Sequence, residues 1–212
     1  VSYTASTKFF DYENPAIKNY RDDLTLDGLS NREKAVAIYN KVRDAFFYNP
    51  FLISVSEEDY VASRLIKRKE GHCLDKSILL IALLRAEGIP AKLHLAKVKN
   101  HIGVERLVKK LGTDELAPHG FVEIFLEGKW LKATPAFNKS LCEMLQVAPL
   151  EFDGESDSIF QAYDGDRKFM EYLEDYGDFD DVPIDFIVDV FSKNYGHLGI
   201  ELPETGYIQF EI

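Results

Sequence analysis

The stretch Gly71–Pro90, "GHCLDKSILLIALLRAEGIP", constrains this chain more than any other. Leu74, Ile78, Leu79, Ile81, Ala82, Leu83 and Leu84 cover most of a helix circumference. A helix apolar on nearly every side must lie at the centre of its fold. Gly88 supplies the C-terminal stop, and Pro90 prevents continuation. Cys73 stands where the glycine-containing loop becomes this helix. It is either a small packing residue or a nucleophile at the positive end of the helix. There the dipole favours a thiolate, and free N–H groups can bind a developing oxyanion.

The flanking sequence predicts one helix-rich half followed by antiparallel strands, an α+β class. Ser30 and Glu33 form a capping box ahead of Ala35, Tyr39, Val42 and Phe46 at helical spacing, and Pro50 closes the run. A second helix is expected to start at Ser56. "AKLHLAKV" alternates like a half-buried strand. Val98 to Pro118 reads as a basic, poorly patterned surface connection. "HGFVEIFLEGKWLKATPAFN" reads as a hairpin turning at Glu127-Gly128. A short helical segment is expected after Asn138, with further helices near Lys168–Tyr176 and Ile184–Asn194.

Composition excludes several classes. An apolar fraction of 46% with 13% aromatics supports a substantial core. No run approaches the roughly 18 apolar residues of a membrane span, and the first residues lack a signal-peptide pattern. The expectation is a soluble, cytoplasmic protein. Cys73 and Cys142 are too few for a disulfide framework, and no pair of ligands begins a zinc site. Net charge is −11. Glu151 to Asp185 holds thirteen acidic and two basic residues, so this segment carries all of it. Such acidity disfavours nucleic acid and predicts a solvated face or a surface for a basic partner. The string Asp153–Asp164 alternates acids like a calcium loop, but lacks the glycine and final glutamate such a loop requires.

Thiol chemistry needs a thiolate, a proton-transfer partner and a group that orients that partner. His119 opens the first strand of the hairpin, on the face opposite Val122, Ile124 and Leu126. With a two-residue turn, Leu126 pairs with Lys129 and His119 falls opposite Ala136. Thr134 then becomes a diagonal neighbour of His119 on the same face. Asn138 is a nearby amide that offers an alternative. Asp75 reads as a helix cap, His72 as a neighbour of the site, Glu123 as a cross-hairpin partner of Lys132, and Cys142 as a packing residue.

These motifs resemble the core of the transglutaminase-like superfamily, thiol enzymes with a papain-like arrangement. "GHCLDKSILLIALLRAEGIPAKL" is similar to its nucleophile motif. "HGFVEIFLEGKWLKATPAFN" is similar to its histidine motif, with Trp130 in the following strand. The resemblance covers Ser30 to Asn138, with an acidic extension from 139 to 212, read together as a single domain. It implies a papain-like fold whose Cys-bearing helix packs on an antiparallel sheet. It also implies Cys73 as nucleophile and His119 as general base and acid. Members make or break amide bonds through a thioester. One departure stands out: Thr134 occupies the slot where the family usually has aspartate. Threonine can accept an Nδ1–H bond but carries no charge to stabilise an imidazolium. The expected activity is hydrolysis or acyl transfer on a peptide or protein carboxamide, with no cofactor and no metal. The alternative is a catalytically weakened peptide- or protein-binding module.

Overall fold

The computed structural model describes residues 3–101, 104–159, 162–163, 167–168, 170–198 and 206–208. Helix α1 spans Pro15–Asp22 and α2 spans Asn31–Ala45. The α2 capping box forms as expected: Ser30 Oγ accepts from Glu33 N, and the Glu33 carboxylate accepts from Ser30 N. Strand β1 (Phe47–Tyr48) lies parallel to β2 (Glu70–Gly71). Between them run a 3-10 turn, Glu57–Tyr60, and helix α3, Ala62–Arg68. The helix expected at Ser56 therefore starts six residues later. Three consecutive acids suit a short helical turn, but Val61 is extended and separates that turn from α3.

Helix α4 (Cys73–Ala86) is the predicted central post, with every residue from Cys73 to Arg85 buried. Two charged side chains inside it are neutralised by backbone carbonyls rather than carboxylates. Lys76 Nζ donates to Arg43 O, Phe46 O and Ala136 O at 2.8, 3.0 and 2.7 Å. Arg85 donates to Ala91 O, Ala5 O and Asp180 O. Buried donors satisfied in this way tie three loops to one helix.

Strands β3 (Ala91–Asn100), β4 (Glu115–Leu126) and β5 (Lys129–Ala133) follow. They build an antiparallel sheet of order β5-β4-β3-β8, in which β8 is Met170–Phe179. Leu126 pairs with Lys129, and both Glu127 and Gly128 have positive φ, the geometry of a two-residue hairpin turn. The predicted register is the observed one as far as Val122 opposite Ala133.

Two expectations fail. The connection from Val98 to Pro118 contains the end of β3, helix α5 (Val104–Leu111) and the start of β4. Leu107 and Leu111, four apart, bury one face of α5 while Lys109 and Lys110 stay outside. The segment near Lys168–Tyr176 is strand, not helix. Its acids lie along a basic strand: Glu174 and Glu171 stand across the ladder from Lys97 and Lys99, whose ammonium groups bond Glu115 and Asp114, while Lys92 Nζ bonds Asp178 and His94 Nε2 bonds Asp175, both at 2.7 Å. Cross-strand charge pairing overrides helical propensity here, and part of the acidic segment thereby finds its basic partner within the chain.

Helix α6 (Lys139–Met144) follows the hairpin, a small antiparallel pair joins β6 (Ala162–Tyr163) to β7 (Arg167–Lys168), and α7 spans Ile184–Tyr195. Buried apolar side chains from Phe9 to Ile208 form one cluster around α4.

Candidate active site

Cys73 opens α4, and the chain reaches it through β2, so its position is set from both sides. Asp75 closes the cap as expected, its Oδ2 accepting from His72 N at 2.7 Å, and Arg68 pairs with the same carboxylate at 2.7 Å. Strand β4 crosses directly over this helix start: Gly120 N donates to Cys73 Sγ at 3.4 Å, and Ser77 Oγ donates to Gly120 O at 3.1 Å. Only glycine permits this approach, because a Cβ on residue 120 would stand 2.6 Å from Leu74 Cδ2. His119, the preceding residue, is fully buried beside it and faces Ala96 across the ladder. The cysteine and histidine motifs, 46 residues apart, thus meet within one hydrogen bond of each other.

The imidazole touching the sulfur is not His119 but His72. Its Nδ1 lies 3.3 Å from Sγ and accepts the Leu74 N–H at 3.5 Å. Neither ring nitrogen of His119 has a hydrogen-bond partner among the described residues. Thr134 is buried and close in sequence register, but it does not bond His119. Its N–H donates to Ser158 O, its carbonyl accepts from Tyr39, and its side chain lies near the Tyr172 hydroxyl. Tyr172 in turn stands edge-on to His119, with ring centroids 6.3 Å apart. Asn138 is spent elsewhere, accepting from Tyr48 N and donating to Ser140. Glu123 does face Lys132 across the hairpin, yet its carboxylate binds Lys92 and His94. Cys142 is buried, as expected of a packing residue.

Dryness controls the electrostatics. Burial pushes the Cys73 thiol up to about 12, against the lowering effect of the Gly120 N–H. Burial also pushes His119 down to about 3, with a smaller contribution from His72. His72 falls to about 4, through burial and then Arg68. At neutral pH the Cys73 thiol and the His72 and His119 imidazoles all rest uncharged. Among the described residues no group of three His, Cys, Asp or Glu side chains is placed to hold a metal, and no helix is long and apolar enough to cross a membrane.

The model of the transglutaminase-like superfamily matches residues 18–135. The chain belongs to that superfamily. Its fold is the α+β, papain-like transglutaminase core, with the Cys-bearing helix against an antiparallel sheet. This member is also similar to a candidate cysteine protease from Cytophaga hutchinsonii, with a TM-score of 0.48, 18% identity, and 63% of this chain and 40% of that one covered. A candidate protease from Parabacteroides distasonis gives a TM-score of 0.40 and 19% identity, over 62% and 26% of the two chains. The chain thus spans less than half the length of either. No curated protein matches it.

Sequence reading passed over three tyrosines that wall this transglutaminase-like site. Tyr48, Tyr172 and Tyr195, like Tyr60, all interact electrostatically with Cys73. Tyr172 was hidden because its strand reads as a helix, and Tyr195 because only tertiary packing brings α7 to β4. Tyr48 had a local signal: it ends the run from α2 immediately before Asn49-Pro50.

Proposed function

We propose that this protein is a thiol-dependent amide hydrolase or acyltransferase acting on a peptide or protein carboxamide through a Cys73 thioester. The observation that supports this most is the junction at Gly120, which holds the sulfur at a helix N-terminus beside a histidine whose nitrogens are uncommitted. Because thiol and imidazole rest uncharged, the base acts during attack rather than through a preformed ion pair. His119 takes the Sγ proton as sulfur bonds to the carbonyl carbon. The imidazolium returns that proton to the leaving amine, and the thioester remains. Water, deprotonated by the same imidazole, adds to the thioester; the acid leaves and the thiol is restored. His72 shares its Nδ1 lone pair with the Leu74 N–H, which leaves His119 the freer base.

The test is labelling with a panel of peptide and carboxamide electrophiles, resolved by mass at Cys73 and Cys142. This reading expects adducts at Cys73 that fall at least tenfold in His119→Ala. Equal labelling of both cysteines, or indifference to His119, contradicts it.

One observation favours a second reading, a peptide-binding module with weakened chemistry: among the described residues His119 has no orienting hydrogen bond, and threonine stands in the carboxylate slot. Under that reading a peptide bound by the wild type is bound equally by Cys73→Ala, and neither protein turns it over.

A further inference from the structure

A groove of about 810 Å³ opens beside the Cys73 pocket, within the size range of ligand sites. Tyr48 forms part of its wall. The Tyr48 ring stacks along His72, whose Nδ1 touches Cys73 Sγ, so the groove runs up to the sulfur. Phe51, Leu107 and Phe137 line it with apolar surface. Phe47 and Met144 stand at the same groove, 47% and 72% exposed. Large apolar side chains left open around one concavity mark a surface that a partner covers.

The polar groups of the groove point to what that partner carries. Asn100 ends β3 at the groove and is 3% exposed, and its side-chain oxygen has no partner among the described residues. A buried amide oxygen without a donor is a cost that a bound N–H removes. One edge of the groove is basic. Arg106 lines it from α5, and the Lys110 ammonium stands 4.7 Å over the Phe51 ring. Neither has a carboxylate partner among the described residues, whereas Lys97 and Lys99 on the neighbouring strand are paired with Glu115 and Asp114. Glu105 is the one acid that lines the groove, so two cations face one anion there. In a chain of net charge −11, such an edge favours a ligand carboxylate.

We propose that this groove docks the substrate and selects a peptide with a large apolar side chain and an acidic residue close to the reacting carboxamide. The inference rests on the carboxamide reading above and adds the substrate class to it. The apolar side chain fills the space among Phe51, Phe137 and Met144. A neighbouring Asp or Glu meets Arg106 and Lys110, and a backbone N–H of the peptide supplies the donor that Asn100 lacks. Arg106 and Asn100 therefore determine specificity and take no part in the proton transfer at His119.

Fluorescence anisotropy on Cys73→Ala tests docking without turnover. The probes are fluorescein-labelled hexapeptides in which one Gln, one Leu and one Glu take every order among three Ser. Each is compared with its Lys-for-Glu and Ser-for-Leu counterparts. The tightest peptide should bind about tenfold better than either counterpart, the effect of reversing a rim charge against two cations or of losing one buried leucine. The charge preference should shrink in high salt and vanish or reverse in Arg106→Glu, a change at an exposed position. Equal binding of the Glu and Lys peptides, or a preference unchanged in Arg106→Glu, overturns the proposal. So does a dimer in sedimentation that binds no peptide and that Met144→Glu dissociates, because the groove then belongs to a second copy. Selective binding by Cys73→Ala, with a wild-type Cys73 that never forms an acyl-enzyme on the same peptide, would support the docking site and overturn the thioester reading.

Discussion

His94 and His119 occupy one face of the same sheet, on either side of Phe121. The Phe121 ring lies 4.4 Å from His94 and 6.5 Å from His119. His94 is clamped between carboxylates, Nδ1 to Glu123 at 2.8 Å and Nε2 to Asp175 at 2.7 Å. Burial lowers its basicity, but these two partners reverse the effect and raise it above the ordinary value. His119 has burial and, among the described residues, no carboxylate partner, so its basicity falls. The arrangement resembling a charge-supported imidazole therefore lies on the far side of Phe121 from His119. In a dry sheet, the carboxylate rather than the burial decides whether a histidine is charged.

The largest effect that would break this contrast comes from Glu123→Ala. It strips His94 and Lys92 of a shared buried partner. Urea unfolding should show a loss of about 1.5–3 kcal/mol, the usual worth of hydrogen bonds to charged groups, because Asp178 and Asp175 still hold Lys92 and His94. Gly120→Ala acts on the other region. Its Cβ meets the buried Leu74 Cδ2, so the Leu74 side chain or β4 must give way, costing about 1–3 kcal/mol in the same assay. The variant should also lose the Gly120 contact to Sγ and change the alkylation rate of Cys73, whereas Glu123→Ala should leave that rate nearer wild type.

Smaller effects separate the histidines by pH. His119 and His72 are harder to protonate when folded than the unfolded value of about 6.5. Below that pH the unfolded chain gains protons that the folded chain does not, so stability falls on acidification. The loss continues towards about 3 for His119 and about 4 for His72, at about 1.4 kcal/mol per group per pH unit. His119→Gln should remove one group's share of that slope. His94 works in the opposite sense: its stabilisation is complete below about 6.5 and is lost as pH rises through its higher folded value. His94→Gln should flatten the alkaline limb of the stability profile, the smallest of these changes. A variant with the acid limb unchanged in His119→Gln would show that His119 is solvated.

Local chemistry made half of this site legible. The Ser30 box, the apolar α4 and the Glu127-Gly128 turn are short-range features, and each placed its element in the observed register. They fixed where Cys73 and His119 stand in their elements, at the start of α4 and on β4. The failures were long-range. Strand β8 was unreadable because its acids gain a strand only against β3, where Lys92 and His94, some eighty residues earlier in the chain, hold Asp178 and Asp175. Tyr172 disappeared with it. Thr134 was placed by extending the ladder one step beyond Ala133, where its N–H turns instead to Ser158. His72 read as a bystander because adjacency in sequence gave no sign that its ring folds back onto the sulfur.

The central claim is that Cys73 rests uncharged because burial raises its thiol and, among the described residues, no carboxylate hydrogen-bonds His119 to offset it. The most direct measurement is the pH dependence of Cys73 alkylation in wild type and Thr134→Asp, resolved by mass from Cys142. The account predicts a wild-type inflection above the ordinary thiol value of about 8.5, and an inflection below it in Thr134→Asp that reverts when His119→Ala is added. Fast alkylation of the wild type under mildly acidic conditions, or a Thr134→Asp profile identical to wild type, would contradict it.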